Sequence, residues 1–215
     1  MDTLAARQQM VDQQIRTWEV LDPRVLDVFS TVPREAFVPP EYRELAFADA
    51  PIPIGLGQSM LAPKLQGRIL QALGIAASDD VLEIGCGTGY LSACMSLLAS
   101  STRAIDIHPQ FTAAAAANLG KVASPKVELQ TRDAFDGDLG EYDVIAVTGS
   151  LPIYDPRFER SLRIGGRLFA IVGAAPVMDA ILIRRVDSTE WIRESLFETV
   201  VEPLINAAAL KRFVF

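Results

Sequence analysis

Apolar positions recur at two spacings along this chain, and the spacing changes as the chain proceeds. Val25, Leu26, Val28 and Phe29 fall at helical intervals within residues 23–30, behind Asp22 as a candidate N-cap. Leu65, Ile69, Leu70 and Leu73 mark one face of a helix over 63–73, with Pro63 in its first turn. From there short apolar runs over 80–84, 102–107, 127–131, 142–147 and 167–172 read as strands. Helical patterns over 90–98, 109–119 and 156–162 stand between them. Such alternation predicts a parallel sheet covered on both faces. Segments 179–186 and 193–201 are expected to add two strands at one edge, making seven. The strand over 81–84 should be central and buried on both faces.

The first 62 residues have a different texture. Stretches 32–40 and 50–59 are punctuated by proline, and a residue before proline avoids the helical region. Both read as irregular, and long loops inside a compact domain are often functional. Residues 1–62 are therefore expected to form a helical and loop extension lying as a partial lid over the C-terminal strand ends. Residues 63–215 form the main domain.

Composition narrows the class. Of 215 residues half are hydrophobic and 22% charged, enough for a substantial core and unlike a disordered or low-complexity chain. Twenty Lys and Arg against 27 Asp and Glu give a net charge of −7, which argues against nucleic acid and against anionic membrane surfaces as partners. The cysteines, Cys86 and Cys94, make no disulfide framework. The first ten residues are polar and of mixed charge, unlike a secretory signal. The longest apolar run, 168–178, is interrupted by Gly173 and Pro176 and is shorter than the roughly 20 residues of a membrane span. A cytoplasmic location is the resulting expectation, and a monomer the default.

The segment Val81-Leu-Glu-Ile-Gly-Cys-Gly-Thr-Gly89 carries the most chemistry. An apolar strand runs into three alternating glycines and a helix follows, an arrangement that serves either a tight structural turn or the close approach of a ligand. A dinucleotide fingerprint would need a third glycine where Tyr90 stands, and no Gly-Lys-Ser/Thr follows as in a phosphate-binding loop. Asp106 ends the next strand. It can accept hydrogen bonds from both hydroxyls of a ribose, and can equally serve as an acid at the start of the helix beyond Pro109. Asp133 follows the strand over 127–131. Metal chemistry has little support, with two cysteines and His108 as the sole histidine. A Ser–His–acid triad would have to use His108 beside the glycine loop.

The glycine segment resembles motif I of the class I S-adenosylmethionine-dependent methyltransferases. That resemblance implies a three-layer, Rossmann-like α/β fold with a mainly parallel seven-stranded sheet. It implies S-adenosyl-L-methionine as cofactor and S-adenosyl-L-homocysteine as product. The residues it places at the cofactor are Glu83, Gly85, Cys86, Gly87, Gly89, Asp106, Ile107, Asp133 and Ala134. Asp106 would meet the ribose, Asp133 the adenine amino group, and the Ala134 backbone a ring nitrogen.

Further blocks are similar to protein-L-isoaspartate O-methyltransferases, a family that methylates the α-carboxylate of isoaspartyl residues in damaged proteins. They are Met10-Val-Asp-Gln-Gln-Ile-Arg16, Val32-Pro-Arg-Glu-Ala-Phe-Val-Pro39, Ala48-Asp49, Ile54-Gly-Leu-Gly-Gln-Ser-Met-Leu-Ala-Pro63, Tyr142-Asp-Val-Ile-Ala-Val-Thr148 and Leu162-Arg-Ile-Gly-Gly-Arg-Leu168. The resemblance implies an isoaspartyl protein or peptide as partner. It places Gln58, Ser59 and the Leu61 position at the reacting end. The family's substrate loop, Gly-x-Gly-Gln-Thr-x-Ser-x-Pro, reads Gly55-Leu-Gly57-Gln58-Ser59-Met60-Leu61-Ala62-Pro63 here. Leu61 thus replaces the serine counted as the active-site residue. The family's Gly-Asp-Gly is Arg132-Asp133-Ala134, and its Val-Thr-Ala-Ala is Val147-Thr-Gly-Ser150. These departures predict weak or absent isoaspartyl methylation with cofactor binding preserved. They leave open a methyltransferase for another small acceptor and a non-catalytic binding or regulatory protein.

Overall fold

Residues 81–84 are each no more than 2% exposed, because strands lie on both sides of them and layers cover both faces. The computed structural model describes residues 3–122 and 126–209, so 1–2, 123–125 and 210–215 of the two expected segments lie outside it. The strand is β3 (Asp80–Ile84), preceded by a separate hairpin of β1 (Ile52–Gly55) and β2 (Gln58–Met60). Then follow β4 (Ser101–Asp106), β5 (Val127–Thr131), β6 (Tyr142–Leu151), β7 (Leu162–Ala174), β8 (Val177–Arg185) and β9 (Trp191–Thr199). The sheet runs β5-β4-β3-β6-β7-β8-β9. Strands β3 to β7 pair in parallel and β7-β8-β9 form an antiparallel meander at one edge. This is the mainly parallel, seven-stranded α/β architecture expected.

The two faces are covered differently. Helices α3 (Pro63–Leu73), α4 (Tyr90–Leu98) and α5 (Pro109–Leu119) lie on the face toward which Val81 points. On the opposite face the helix expected over 156–162 is a single turn, α6 (Arg157–Arg160), because β7 already begins at Leu162. Side chains from loops close that face instead. Phe135 meets Phe158 edge to face at 5.7 Å, and Leu139 joins the same apolar cluster.

The N-terminal segment reaches the strand ends, as expected of a partial lid, and its helices also pack into the core. Helix α1 (Thr3–Met10), a π-helical and 3-10 continuation to Trp18, and α2 (Pro23–Thr31) share one apolar cluster with α3, α4 and the sheet. Asp22 caps α2, accepting the Arg24 N–H at 2.9 Å. Val25, Val28 and Phe29 make α2 one-sided, so it needs an apolar partner. Helix α4 supplies it: of its nine residues only Leu97 is exposed, since it sits between the sheet and the N-terminal helices.

The hairpin and Leu61 line a cleft at the strand ends, and Arg34 and Phe37 pack on Tyr90 beside it. Stretch 50–59 is not irregular: Ile52 pairs with Met60, both buried, around a two-residue turn at Leu56 and Gly57. Both turn residues have positive φ, +54° and +71°, as a tight hairpin requires. Pro53 sits on an exposed edge position where no ladder donor is needed. Among the described residues no helix is long and apolar enough to cross a membrane.

Candidate active site

The chain leaves β3 for β4 on one side and later places β6 on the other, which opens a crevice at the carboxyl ends of these strands. A cleft of about 900 Å³, including its part open to solvent, occupies that crevice. Gln58, Ser59, Leu61, Glu83, Gly85, Cys86, Gly87, Asp106, Ile107, Asp133 and Ala134 all line it. Gly89 does not: a Cβ there would lie 2.9 Å from the Ala115 Cβ of α5, so this glycine serves helix packing. Gly87, with φ +51°, lets the hairpin descend; its absent Cβ would lie 3.0 Å from Ile54 Cδ1.

Asp106 fixes the turn and still faces the cleft. Its Oδ2 accepts the Gly87 N–H and its Oδ1 the His108 N–H, each at 3.0 Å. A carboxylate oxygen has two acceptor sites, so both oxygens keep capacity for hydroxyls. His108 opens α5, meets Phe111 edge to face at 5.3 Å and lines the cleft. Its buried Nε2 has no hydrogen-bond partner among the described residues, as at a position completed by a bound group. Asp133 accepts the Phe135 N–H at 2.8 Å and the Asn206 amide at 2.7 Å.

Glu83 points toward α4, where Ser92 Oγ donates to its Oε2. Burial pushes its carboxyl up to about 8; the Ser92 bond opposes the shift and nearby Asp106 adds to it. Burial, the charge of Glu83 and that of Asp106 push the Cys86 thiol far up, so it is a neutral wall rather than a nucleophile.

The hairpin side of the cleft contains three features that the chain pattern did not disclose. Ser59 Oγ donates to Glu202 Oε1 at 2.8 Å. Glu202 lies on a return segment clipped to β6, where its carbonyl accepts the Ser150 N–H and the Ser150 carbonyl accepts the Leu204 N–H, each at 2.9 Å. Gly149 permits this approach, since a Cβ there would lie 2.7 Å from Leu204 Cδ2; a bare glycine near a strand end was the available signal. Arg34, fully buried, donates from Nε to the Ala46 carbonyl at 2.8 Å, from Nη2 to the Leu61 carbonyl at 2.7 Å, and from Nη1 to Gln66 Oε1. Its guanidinium lies 4.9 Å from the Tyr90 ring centroid. Leu61 itself is 9% exposed and belongs to the apolar core as well as to the cleft wall.

Four carboxyl groups, Glu83, Asp106, Asp133 and Glu202, line the cleft. The guanidinium of Arg132 is directed to the carbonyls of Asp136 and Asp138, each at 2.6 Å. Acidic acceptors beside a bare glycine turn, with an unpartnered imidazole nitrogen, suit a cationic ligand carrying hydroxyls.

Comparison with known proteins gives a consistent result. The family model for protein-L-isoaspartate(D-aspartate) O-methyltransferase matches residues 5–208. A protein-L-isoaspartate O-methyltransferase of Koribacter versatilis is 36% identical over 202 residues, 93% of this chain and 90% of that protein. One from Rhodopseudomonas palustris is 35% identical, covering 92% of each. In fold, the chain is similar to a Plasmodium falciparum protein described as a beta-aspartate methyltransferase, in complex with S-adenosyl-L-homocysteine. The TM-score is 0.80 at 15% identity, covering 92% of this chain and 97% of that one.

Proposed function

This chain belongs to the protein-L-isoaspartate(D-aspartate) O-methyltransferase family, and we propose that it uses the cleft described above to methyl-esterify isoaspartyl carboxylates in damaged proteins. The observation that carries the reading is the convergence of Gln58 and Ser59 of the hairpin with Gly85, Gly87 and Asp106 on one cleft. Bound S-adenosyl-L-methionine supplies a methyl group on a positively charged sulfur and leaves as S-adenosyl-L-homocysteine.

The residues divide the remaining work. Glu83, Gly85, Cys86, Gly87, Asp106, Ile107, Asp133 and Ala134 hold the cofactor, with Asp106 accepting the ribose hydroxyls. Gly89 supports them by letting α5 pack close. No general base is required, because an acceptor carboxylate is already ionised at neutral pH. The protein therefore has to align the reactants and exclude water. Ser59 and Gln58 orient the acceptor and Leu61 makes one wall apolar. In this division residues 1–62 supply the acceptor hairpin and 63–215 the cofactor cleft. Cytoplasmic action belongs to the same reading, supported by two buried, unpaired thiols.

The test is incubation with methyl-labelled S-adenosyl-L-methionine and an isoaspartyl peptide beside its aspartyl counterpart. A base-labile methyl ester on the isoaspartyl peptide alone is expected. Cofactor binding without any ester would overturn the proposal.

A further inference from the structure

Resting on the isoaspartyl reading, we propose that Glu202 sets which carboxylates the acceptor site takes: it occupies the Ser59 hydroxyl itself, and an incoming carboxylate must displace it. A serine hydroxyl donates one proton. That of Ser59 goes to Glu202 Oε1 at 2.8 Å, and Leu61 offers no second hydroxyl. The resident carboxylate cannot drift away with its backbone. Ser150 Oγ donates to the Val201 carbonyl at 3.1 Å, and the two main-chain bonds to Ser150 hold residues 202 and 204 against β6.

Among the described residues no cationic side chain pairs with Glu202: Arg132 is turned to two carbonyls, and Arg34 is buried behind Leu61 and Gln66. An isoaspartyl carboxylate therefore approaches Ser59 against a like charge in contact with the same donor. Like charges at close range discriminate strongly between ligands. The substrate class that follows is the isoaspartyl residue flanked by lysine or arginine, whose cationic side chains offset Glu202. Isoaspartyl residues flanked by further acids are disfavoured.

Glu202→Gln tests this, since glutamine keeps an oxygen for Ser59 and removes the charge. Binding of two isoaspartyl peptides, one flanked by acids and one by lysines, is measured by calorimetry on the full chain saturated with S-adenosyl-L-homocysteine. The acid-flanked peptide should bind the variant about tenfold tighter than the wild type, while the lysine-flanked peptide changes by no more than about twofold. Raised salt should shrink the wild-type discrimination. Equal gains for both peptides, no gain for the acid-flanked one, or no binding to either protein would overturn the proposal. Ester formation on the same peptides reports separately on the functional reading: the expected binding changes without ester would uphold the role of Glu202 and overturn isoaspartyl methylation.

Discussion

Arg34 holds Leu61 by its backbone: Nη2 donates to the Leu61 carbonyl at 2.7 Å, with both residues buried. The residue at which the chain departs from its family's loop pattern is thus positioned independently of its side chain. The same guanidinium ties Ala46, at the end of the 3-10 turn Pro40–Leu45, to Gln66 in α3.

Replacing Arg34 with methionine would strip three buried acceptors of their donor. Removing one partner of a buried polar network is costly, and a loss of about 3–5 kcal/mol of stability is expected. Lysine, which keeps the charge and one donor direction, should lose less. Urea unfolding of both variants measures this; a methionine variant as stable as the wild type would show that Arg34 is not the anchor.

Asp106→Ala removes an acceptor used by two backbone N–H groups and proposed for two ribose hydroxyls. Affinity for S-adenosyl-L-methionine should fall by roughly 1.5–3 kcal/mol, a factor of about 10 to 150. Asn at this position should fall between, as a neutral acceptor. Calorimetry on the three proteins decides, and equal affinities would remove Asp106 from the site.

Leu61→Ser sets two effects against each other. Restoring a hydroxyl should raise kcat/KM on an isoaspartyl peptide by about 1–2 kcal/mol of transition-state stabilisation. Removing a leucine from the apolar cluster should lower stability by roughly 2–4 kcal/mol. Steady-state rates and melting temperatures separate the two. Turnover that does not change would show that the hydroxyl is dispensable.

Glu83 predicts a pH dependence. Its carboxyl is raised from 4.5 to about 8 in the fold, chiefly by burial. Between those values the folded chain keeps a proton that the unfolded chain has lost, so stability falls as pH rises across that window and levels off above it. The effect is up to about 5 kcal/mol. Glu83→Gln should abolish this slope, read from urea midpoints at pH 5 and pH 8.5. Parallel pH profiles for the two proteins would assign the buried proton elsewhere.

The sheet was legible because each buried strand is a short apolar run between helical patterns, and because Asp106 closes its strand. Asp22 was legible as a cap because it stands directly before Pro23. The hairpin escaped notice: Pro53 breaks its alternation, and its strands are only four and three residues long. Glu202 could not be read at all, since 143 residues separate it from Ser59 and only the clip to Ser150 brings them together. The docking of α2 has one sign in the sequence. A helix as apolar all round as α4 needs cover on its outer side, and the N-terminal segment was the chain available to provide it.

That shared core limits how acceptor preference can be exchanged between relatives. Val25, Val28 and Phe29 belong to the same cluster as Tyr90 and Met95, so a chimera joined at residue 62 would graft one parent's knobs onto another parent's holes. The hairpin is less tied: it pairs only with itself in β-ladder terms, joins that cluster through Ile52, Ile54 and Met60, and meets the cleft through Ile54, Gln58, Ser59 and Met60. Recombination should therefore move specificity in units of about ten residues rather than by halves, with residue 202 exchanged alongside as the other half of the Ser59 contact.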